Sequence, residues 1–305
     1  MRLFVSQSND PFVNLAFEET LLREGGDAAF LWVNSPCVVI GRNQNPFHET
    51  DPAFLKAHGI ALARRLSGGG AVYHDRGNLN YSIASDALDE NKAANWALSA
   101  LDRLGIHADV TGRNDITVDG MKIGGLAERY DGRNLQHGTL LVSVDMLMLT
   151  QALRPSAFKL KKHGIASVKS RVANLTSFAG DIDVARLMAA FEDVLGAPSA
   201  CATMDQTVQK RACELQSPNW VFATHAIGDV EFETIVKGDL YRFSLEVSNG
   251  FVQSASITTD ACRAPDLDAI AEQLKGRSLQ EIPSWTGHLT QSSGKATLLL
   301  QADAQ

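Results

Sequence analysis

The run from Arg64 to Ser82 constrains the fold more than any other: Arg-Arg-Leu-Ser-Gly-Gly-Gly-Ala-Val-Tyr-His-Asp-Arg-Gly-Asn-Leu-Asn-Tyr-Ser. Two arginines lead into a serine and three consecutive glycines, and a short β-branched and aromatic segment follows. Lacking Cβ, Gly68, Gly69 and Gly70 can take φ > 0 and let a ligand lie against bare backbone. Amide N–H groups exposed in such a loop make an anion-binding concavity. Arg64 and Arg65 add charge and planar donor forks suited to phosphate or carboxylate. The same letters also fit a glycine-rich hairpin with two surface arginines.

A chain of 305 residues holds one large or two modest domains. Its 45% hydrophobic content supplies a real core, and a net charge of −7 argues against a general nucleic-acid or anionic-membrane binder. The cysteines, Cys37, Cys201, Cys213 and Cys262, are scattered without a C-x-x-C, so neither a zinc ribbon nor a disulfide framework is indicated. The first ten residues lack an apolar signal-peptide core, and no transmembrane segment is visible. A cytoplasmic protein is expected.

Asp10-Pro11 reads as an N-cap followed by proline at the first helical position, opening a helix to about Arg23. Ala29–Asn34 and Cys37–Ile40 read as strands separated by Ser35-Pro36, with Cys37 as a buried small hydrophobe. Ala71–His74 and Leu79–Ala84 read as two strands joined in a hairpin through Asp75-Arg76-Gly77-Asn78. Asn91–Leu104 and Asp183–Leu195 read as helices. Residues Ala197–Ala212 are polar and show no clear period. Val230–Val236, Leu240–Val247 and Phe251–Ile257 suggest a three-strand meander, followed by a helix over Pro265–Leu274. This tail reads as a small accessory α+β domain with a boundary near residue 220.

A second block, Thr111 to Ala127, carries Asp119-Gly120, a strong hairpin signal. It puts Asn114-Asp115 and Lys122 on adjacent antiparallel strands, where they face one pocket if their pleat parity agrees. Gly124-Gly125 follow at once and allow backbone to approach a ligand. Asp131-Gly132 marks another hairpin, returning through His137-Gly138-Thr139. His137 is equally readable as hydrogen-bonded structure or as a catalytic group. Lys159 to Val172 is basic, and reads either as a solvated loop or as a lid over an anionic intermediate. No P-loop, G-x-G-x-x-G, H-E-x-x-H or G-x-S-x-G occurs. The remaining set suits a carboxylate attacking the α-phosphate of a nucleotide, with Lys122 bridging carboxylate and phosphate and Asp115 available to Mg²⁺.

These motifs, in order, resemble the lipoate–protein ligase A family. The likeness rests on Arg64–Ser82, on Gly112-Arg113-Asn114-Asp115 with Lys122-Ile123-Gly124-Gly125, on His137-Gly138-Thr139-Leu140-Leu141 and on Gly164–Leu175. Asn14–Glu19 and Val39–Pro46 fit as well. The resemblance implies an α+β fold: a class II aminoacyl-tRNA synthetase/biotin–protein ligase-like catalytic domain with mixed and antiparallel sheets over 1–215, and a small C-terminal α+β accessory domain over 220–305. It implies that lipoate and Mg-ATP give lipoyl-AMP, whose lipoyl group passes to a lysine. Implied acceptors are lipoyl domains of 2-oxoacid dehydrogenase E2 subunits and the glycine-cleavage H protein. Neither nucleic acid nor membrane is an implied partner, and a monomer is expected.

By that resemblance Lys122 is the catalytic residue, and Arg65, Gly69, Gly70, Ala71, Val72, Tyr73, Asn114, Asp115, Gly164, Ile165, Ser167 and Val168 join it around ATP and the adenylate. Arg65, Gly70, Tyr73, Lys122 and His137 would contact lipoate, Asp115 would meet the metal, and Trp32, Val38, Ile40 and Tyr73 would line an apolar acyl tunnel. Two departures stand out. The family's Lys-x-Ser-Gly-Ser-Ala is Lys122-Ile123-Gly124-Gly125-Leu126-Ala127 in this chain, and its paired histidine is Gln136-His137. Both are expected to alter the acyl preference or slow activation. Two other readings remain open: an ATP-independent lipoyl or octanoyl transferase, and a non-catalytic lipoate or lipoyl-adenylate binder. No cysteine lies between Cys37 and Cys201, which argues against a cysteine thioester route.

Overall fold

Asp10 accepts hydrogen bonds from the Phe12 and Val13 amides, and with Pro11 in the first turn this starts the first helix as expected. In the computed structural model the described residues are 1–44, 46–50, 52–86, 91–112, 114–153, 171–196, 198–222, 228–236, 239–248, 251–261, 266–278, 289–292 and 295–298. The chain begins with β1 (Arg2–Val5), α1 (Pro11–Glu24), β2 (Ala28–Trp32), β3 (Cys37–Ile40), α2 (Pro46–Glu49), α3 (Pro52–Ala57) and β4 (Ala61–Arg64). It continues through β5 (Val72–His74), β6 (Asn78–Ser85), α4 (Lys92–Arg103), β7 (Asp109–Thr111), β8 (Asp115–Val118), β9 (Met121–Tyr130), β10 (Asn134–Leu141) and α5 (Met146–Ala152). Next come α6 (Val184–Leu195), β11 (Ser199–Cys201), α7 (Gln206–Gln216) and α8 (Pro218–Val221). Last are β12 (Gly228–Val236), β13 (Asp239–Ser248), β14 (Phe251–Thr259), α9 (Leu267–Leu274), β15 (Leu289–Ser292) and β16 (Lys295–Leu298).

The architecture is mixed α+β. One sheet runs β11-β1-β2-β6-β10-β9-β8-β7, parallel among β11, β1 and β2 and antiparallel from β2 onward. One face of it packs Leu31, Leu79, Tyr81, Ile83 and Leu140 against Trp96, Leu101 and Phe191 of α4 and α6. On the other face, Phe30 and Trp32 meet Phe17 of α1 and Val208 of α7. A second sheet, β4-β3-β5, lies over that same face through Val39, Ala63 and Cys37. Its outer face, with Val38, Ile40 and Tyr73, packs on Leu55 and Ala152 of α3 and α5.

The hairpin expected through Asp75–Asn78 does not form. β5 belongs to the three-stranded sheet and β6 to the eight-stranded one. Gly77 explains the switch. Its carbonyl accepts from the Val142 and Ser143 amides, and a Cβ on it would overlap the Ser143 carbonyl. The chain is thus pinned to the end of β10 and turned from one sheet to the other. The segment Ala197–Ala212, which lacks a visible period, includes β11 and the start of α7, a helix capped by Asp205 and packed along α1. The expected meander is present as β12-β13-β14, with an apolar cluster of its own that includes Phe243, Leu245, Val252, Ile270 and Leu274.

Candidate active site

Asp119 (φ 49°) and Gly120 (φ 72°) turn β8 into β9 as a left-handed two-residue loop. A regular ladder from that turn would put Lys122 and Ala127 on opposite faces, because they are an odd number of residues apart. The register instead shifts between Ile116 and Thr117, so that Thr117 pairs with Lys122 but Ile116 with Gly124. The extra residue, Ile123, is buried in the core behind the sheet. This bulge resets the parity and places Lys122, Gly125 and Ala127 on one face with Asp115. Lys122 Nζ lies 2.6 Å from Asp115 Oδ1, and the two side chains are 33% and 38% exposed. A Cβ on Gly125 would sit 3.8 Å from Lys122 Nζ, so the lysine stem lies over bare backbone. The backbone of Lys122 is clamped as well. Its N–H donates to the Arg171 carbonyl at 2.8 Å and its carbonyl accepts from Ala173 at 2.9 Å.

Lys122 and Asp115 belong to the lining of a cavity of about 180 Å³ between the two sheets. Gly69, Gly70, Ala71 and Val72 line it from the glycine-rich loop, with Arg65, Asn114 and His137. Of the three loop glycines only Gly69 takes a positive φ, 88°.

Both arginines direct donors inward to the protein itself, and Arg65 also lines the cavity. Arg65 Nε donates to Ser67 Oγ (3.0 Å), Nη1 to the Val39 carbonyl (3.1 Å), and Nη2 to the Gly68 and Gly70 carbonyls (2.7 and 2.8 Å). Its fork ties the glycine loop to β3. Arg64, 1% exposed, donates only to carbonyls: Gly41, Arg42 and Gln44 through Nη1 and Val221 through Nε and Nη2. Burial pulls both guanidinium groups down to about 10, for Arg65 against the opposing pull of Glu18. These are internal staples, and Arg64 does not line the cavity.

His137 joins the loop to α1. Its Nδ1 is 2.9 Å from Glu18 Oε1 and its Nε2 is 2.7 Å from Ser67 Oγ, all three residues buried. The connectivity matches a Ser-His-acid triad, but Ser67 is 1% exposed, receives the Arg65 N–H and does not line the cavity. It is therefore a strut of the loop.

The cavity floor is apolar with a few polar groups: Leu15, Trp32, Val39 and Val72, with Asn34, His74 and Asn80. Strand alternation places Val72 and His74 on this side and turns Tyr73 to the outer face. Of the residues expected to line an acyl tunnel, Trp32 lines this cavity, whereas Val38, Ile40 and Tyr73 pack on the far side of the small sheet. Tyr73, read from the sequence into both the nucleotide and the lipoate sets, is not among the lining residues of this cavity, and its phenol is pushed up to about 12 by burial. Gly164, Ile165, Ser167 and Val168 lie outside the described residues.

Of the two departures, Leu126 both lines the cavity and packs against the core under α4, whereas Gln136 does not line it: its Oε1 accepts from the Ala93 amide in the first turn of that helix. Glu18, Ser67, Asn34 and Asn14 received no individual role in the sequence reading, although Asn14, Glu18 and Ser67 lie within motifs it singled out. Asn14 and Glu18, four apart in an otherwise apolar helical run, were the available signal. Among the described residues no cluster of three or more His, Cys, Asp or Glu could hold a metal, and Asp115 is the one carboxylate lining this cavity.

A family model described as "Lipoyl protein ligase A/B catalytic domain" matches residues 10–196. The chain is 34% identical over 296 residues to a lipoate-protein ligase A of Psychrobacter cryohalolentis, covering 90% of this chain and 87% of that one. Among solved structures it resembles a bi-partite lipoate protein ligase from Thermoplasma acidophilum, studied with its E2 lipoyl domain, at 27% identity and TM-score 0.60 (72% of this chain, 95% of that one). It is similar at 27% identity and TM-score 0.59 to a lipoate-protein ligase A bound with ATP (72% and 98%).

Proposed function

This chain belongs to the lipoyl protein ligase A/B catalytic-domain family and is a ligase, and from that premise we propose that it activates lipoate with ATP and passes the lipoyl group to a protein lysine. The observation that carries the reading is the Lys122–Asp115 pair over Gly125, at one end of a cavity edged by Gly69–Val72 and floored by apolar side chains. A lipoate carboxylate oxygen attacks the α-phosphorus of ATP, and the bond to pyrophosphate breaks. The ε-amine of the acceptor lysine then attacks the acyl carbon, loses a proton, and AMP departs. Lys122 offers a fixed cation to carboxylate and phosphate alike, and Asp115 holds that cation in place before the ligand arrives. Loop amides add donors. Mg²⁺ is chemically compatible, since it needs only one or two protein carboxylates beside substrate phosphates, and Asp115 supplies one. Bound there it would offset phosphate charge.

The same reading assigns Gly164, Ile165, Ser167 and Val168 to the adenylate. Support comes from the backbone bonds that tie Lys122 to Arg171 and Ala173, just beyond them. It also takes residues 1–215 as the catalytic domain and 220–305 as an accessory domain, in keeping with the separate apolar cluster around Phe243 and Leu274. Acceptors are lipoyl domains, as the archaeal relative studied with its E2 lipoyl domain suggests, and the H protein. A cytoplasmic monomer is part of this proposal; no helix among the described residues is long and apolar enough to cross a membrane.

Family membership spans A and B types and does not by itself decide on ATP. Cys37 is buried, burial raises its pKa, and none of Cys37, Cys201 or Cys213 lines the cavity, so a thioester route has no described support. The test is intact-mass analysis of an apo lipoyl domain incubated with the protein, lipoate and Mg-ATP. A lipoyl mass gain that needs ATP is expected. Gain without ATP, obtained only when a lipoyl or octanoyl group is supplied as a thioester on a carrier, would indicate the transferase, and binding without gain from either donor the non-catalytic binder.

A further inference from the structure

The cavity lining includes a buried histidine whose tautomer is set by a chain of amides. Asn14 Nδ2 donates to the Ser8 carbonyl at 3.0 Å, and Ser6 Oγ donates to Asn14 Oδ1 at 2.6 Å, which fixes the Asn14 amide. Asn14 Nδ2 also donates to Asn34 Oδ1 at 2.9 Å. That leaves Asn34 Nδ2 facing His74 Nδ1 at 3.1 Å. An amide NH₂ can only donate, so Nδ1 accepts and the neutral ring carries its proton on Nε2. Burial, helped by the charge of Arg65, lowers the His74 pKa to about 3 and keeps the ring neutral.

His74 is 5% exposed and lines the cavity, and its Nε2 has no partner among the described residues. Trp32 Nε1, on another cavity-lining residue, is also buried without a partner among them. Both N–H groups belong to buried rings, whereas the Lys122 cation is one-third exposed. Under the proposed function, an acyl acid with its carboxylate at Lys122 would direct its apolar half toward these buried rings of the same cavity.

We propose that the His74 Nε2–H group is a specificity device that favours an acyl acid carrying an acceptor in its apolar half, so that lipoate, through a dithiolane sulfur, is used in preference to octanoate. The proposal rests on the cavity being the acyl site of the ligase reaction. A straight alkyl tail would leave the buried donor unmatched, and the sulfur, a weak acceptor, relieves that cost only in part. The expected preference is therefore modest, about tenfold, rather than the far larger ratios of strong hydrogen-bonding pockets.

The experiment measures kcat/KM for pyrophosphate release by the full chain with Mg-ATP and either lipoate or octanoate. The wild type should favour lipoate about tenfold. His74→Phe should bring the ratio near unity. Asn34→Asp offers Nδ1 a carboxylate acceptor, moves the ring proton off Nε2, and should lower the ratio while leaving the imidazole in place. Nitrogen NMR of the ring should find the proton on Nε2 in the wild type and on Nδ1 in the Asn34→Asp protein. A wild-type ratio near unity, equal losses with both acids in His74→Phe, or a wild-type proton on Nδ1 would overturn the inference while the ligase reading stands. Absence of release with either acid would overturn both.

Discussion

His74 has a consequence for stability as well as for substrate choice. Its pKa is about 3 in the folded chain and 6.5 when unperturbed. Between those values the unfolded chain binds a proton that the folded chain refuses. This contribution is thus complete above pH 6.5 and is lost as the pH falls toward 3. Within that window it adds a slope of up to about 1.4 kcal/mol per pH unit. Urea unfolding of His74→Phe across the same range should show a shallower acid loss than the wild type by up to that amount; parallel curves would contradict a ring buried in its neutral form. Glu18 offers a second residue-level test. Glu18→Ala removes the acceptor at His137 Nδ1 and the charge near Arg65, and should cost about 1–3 kcal/mol of stability with a raised KM for lipoate. Glu18→Gln keeps an acceptor and should recover most of that KM. Steady-state kinetics beside urea melts would decide it.

At the level of strands and helices, turn chemistry was the most legible feature. Asp10-Pro11 and Asp119-Gly120 act locally, through a cap and a left-handed turn, and both are found as read. The bulge at Ile123 was not legible, because it arises from competition between ladders rather than from a turn signature. Pleat parity at Lys122 therefore had to come from the structure. The false hairpin at Asp75–Asn78 has a similar origin: its turn letters are genuine, but Gly77 binds the end of β10, distant in sequence. The internal bonds of the arginines were not legible for a related reason, since nothing local says that a fork will close on carbonyls from β3 and from the chain after it. Gly124 tests the β9–β10 junction. A Cβ there would overlap the Thr139 carbonyl and come within 2.9 Å of Leu140 Cδ2. Gly124→Ala should destabilise the protein by about 1–3 kcal/mol in chemical denaturation. A neutral substitution would mean that the two strands separate without cost.

In the molecule as a whole, the cavity depends on a long-range staple. Arg64 links the carbonyls of Gly41, Arg42 and Gln44 to that of Val221, while Trp220 Nε1 donates to the Arg64 carbonyl at 2.9 Å. Residues 218–221 thereby brace the strand that leads into the glycine loop. A chain ended after 222 should keep a cooperative melt, whereas one ended after 216 should lose these bonds and melt several degrees lower. Equal melting temperatures would show that the staple is dispensable. The α+β class and the order of site motifs were legible in the sequence. The two-sheet enclosure was not, since strands adjacent in the chain enter different sheets.

The most direct measurement is lipoate-dependent release of pyrophosphate from Mg-ATP by the wild type and by Lys122→Met. The expected result is release by the wild type and a loss of at least about a hundredfold in the variant, as for removal of a transition-state charge partner. Release that is undiminished in Lys122→Met, or a wild type that lipoylates its acceptor without consuming ATP, would contradict a charge-stabilising role for the Lys122–Asp115 pair in adenylate formation.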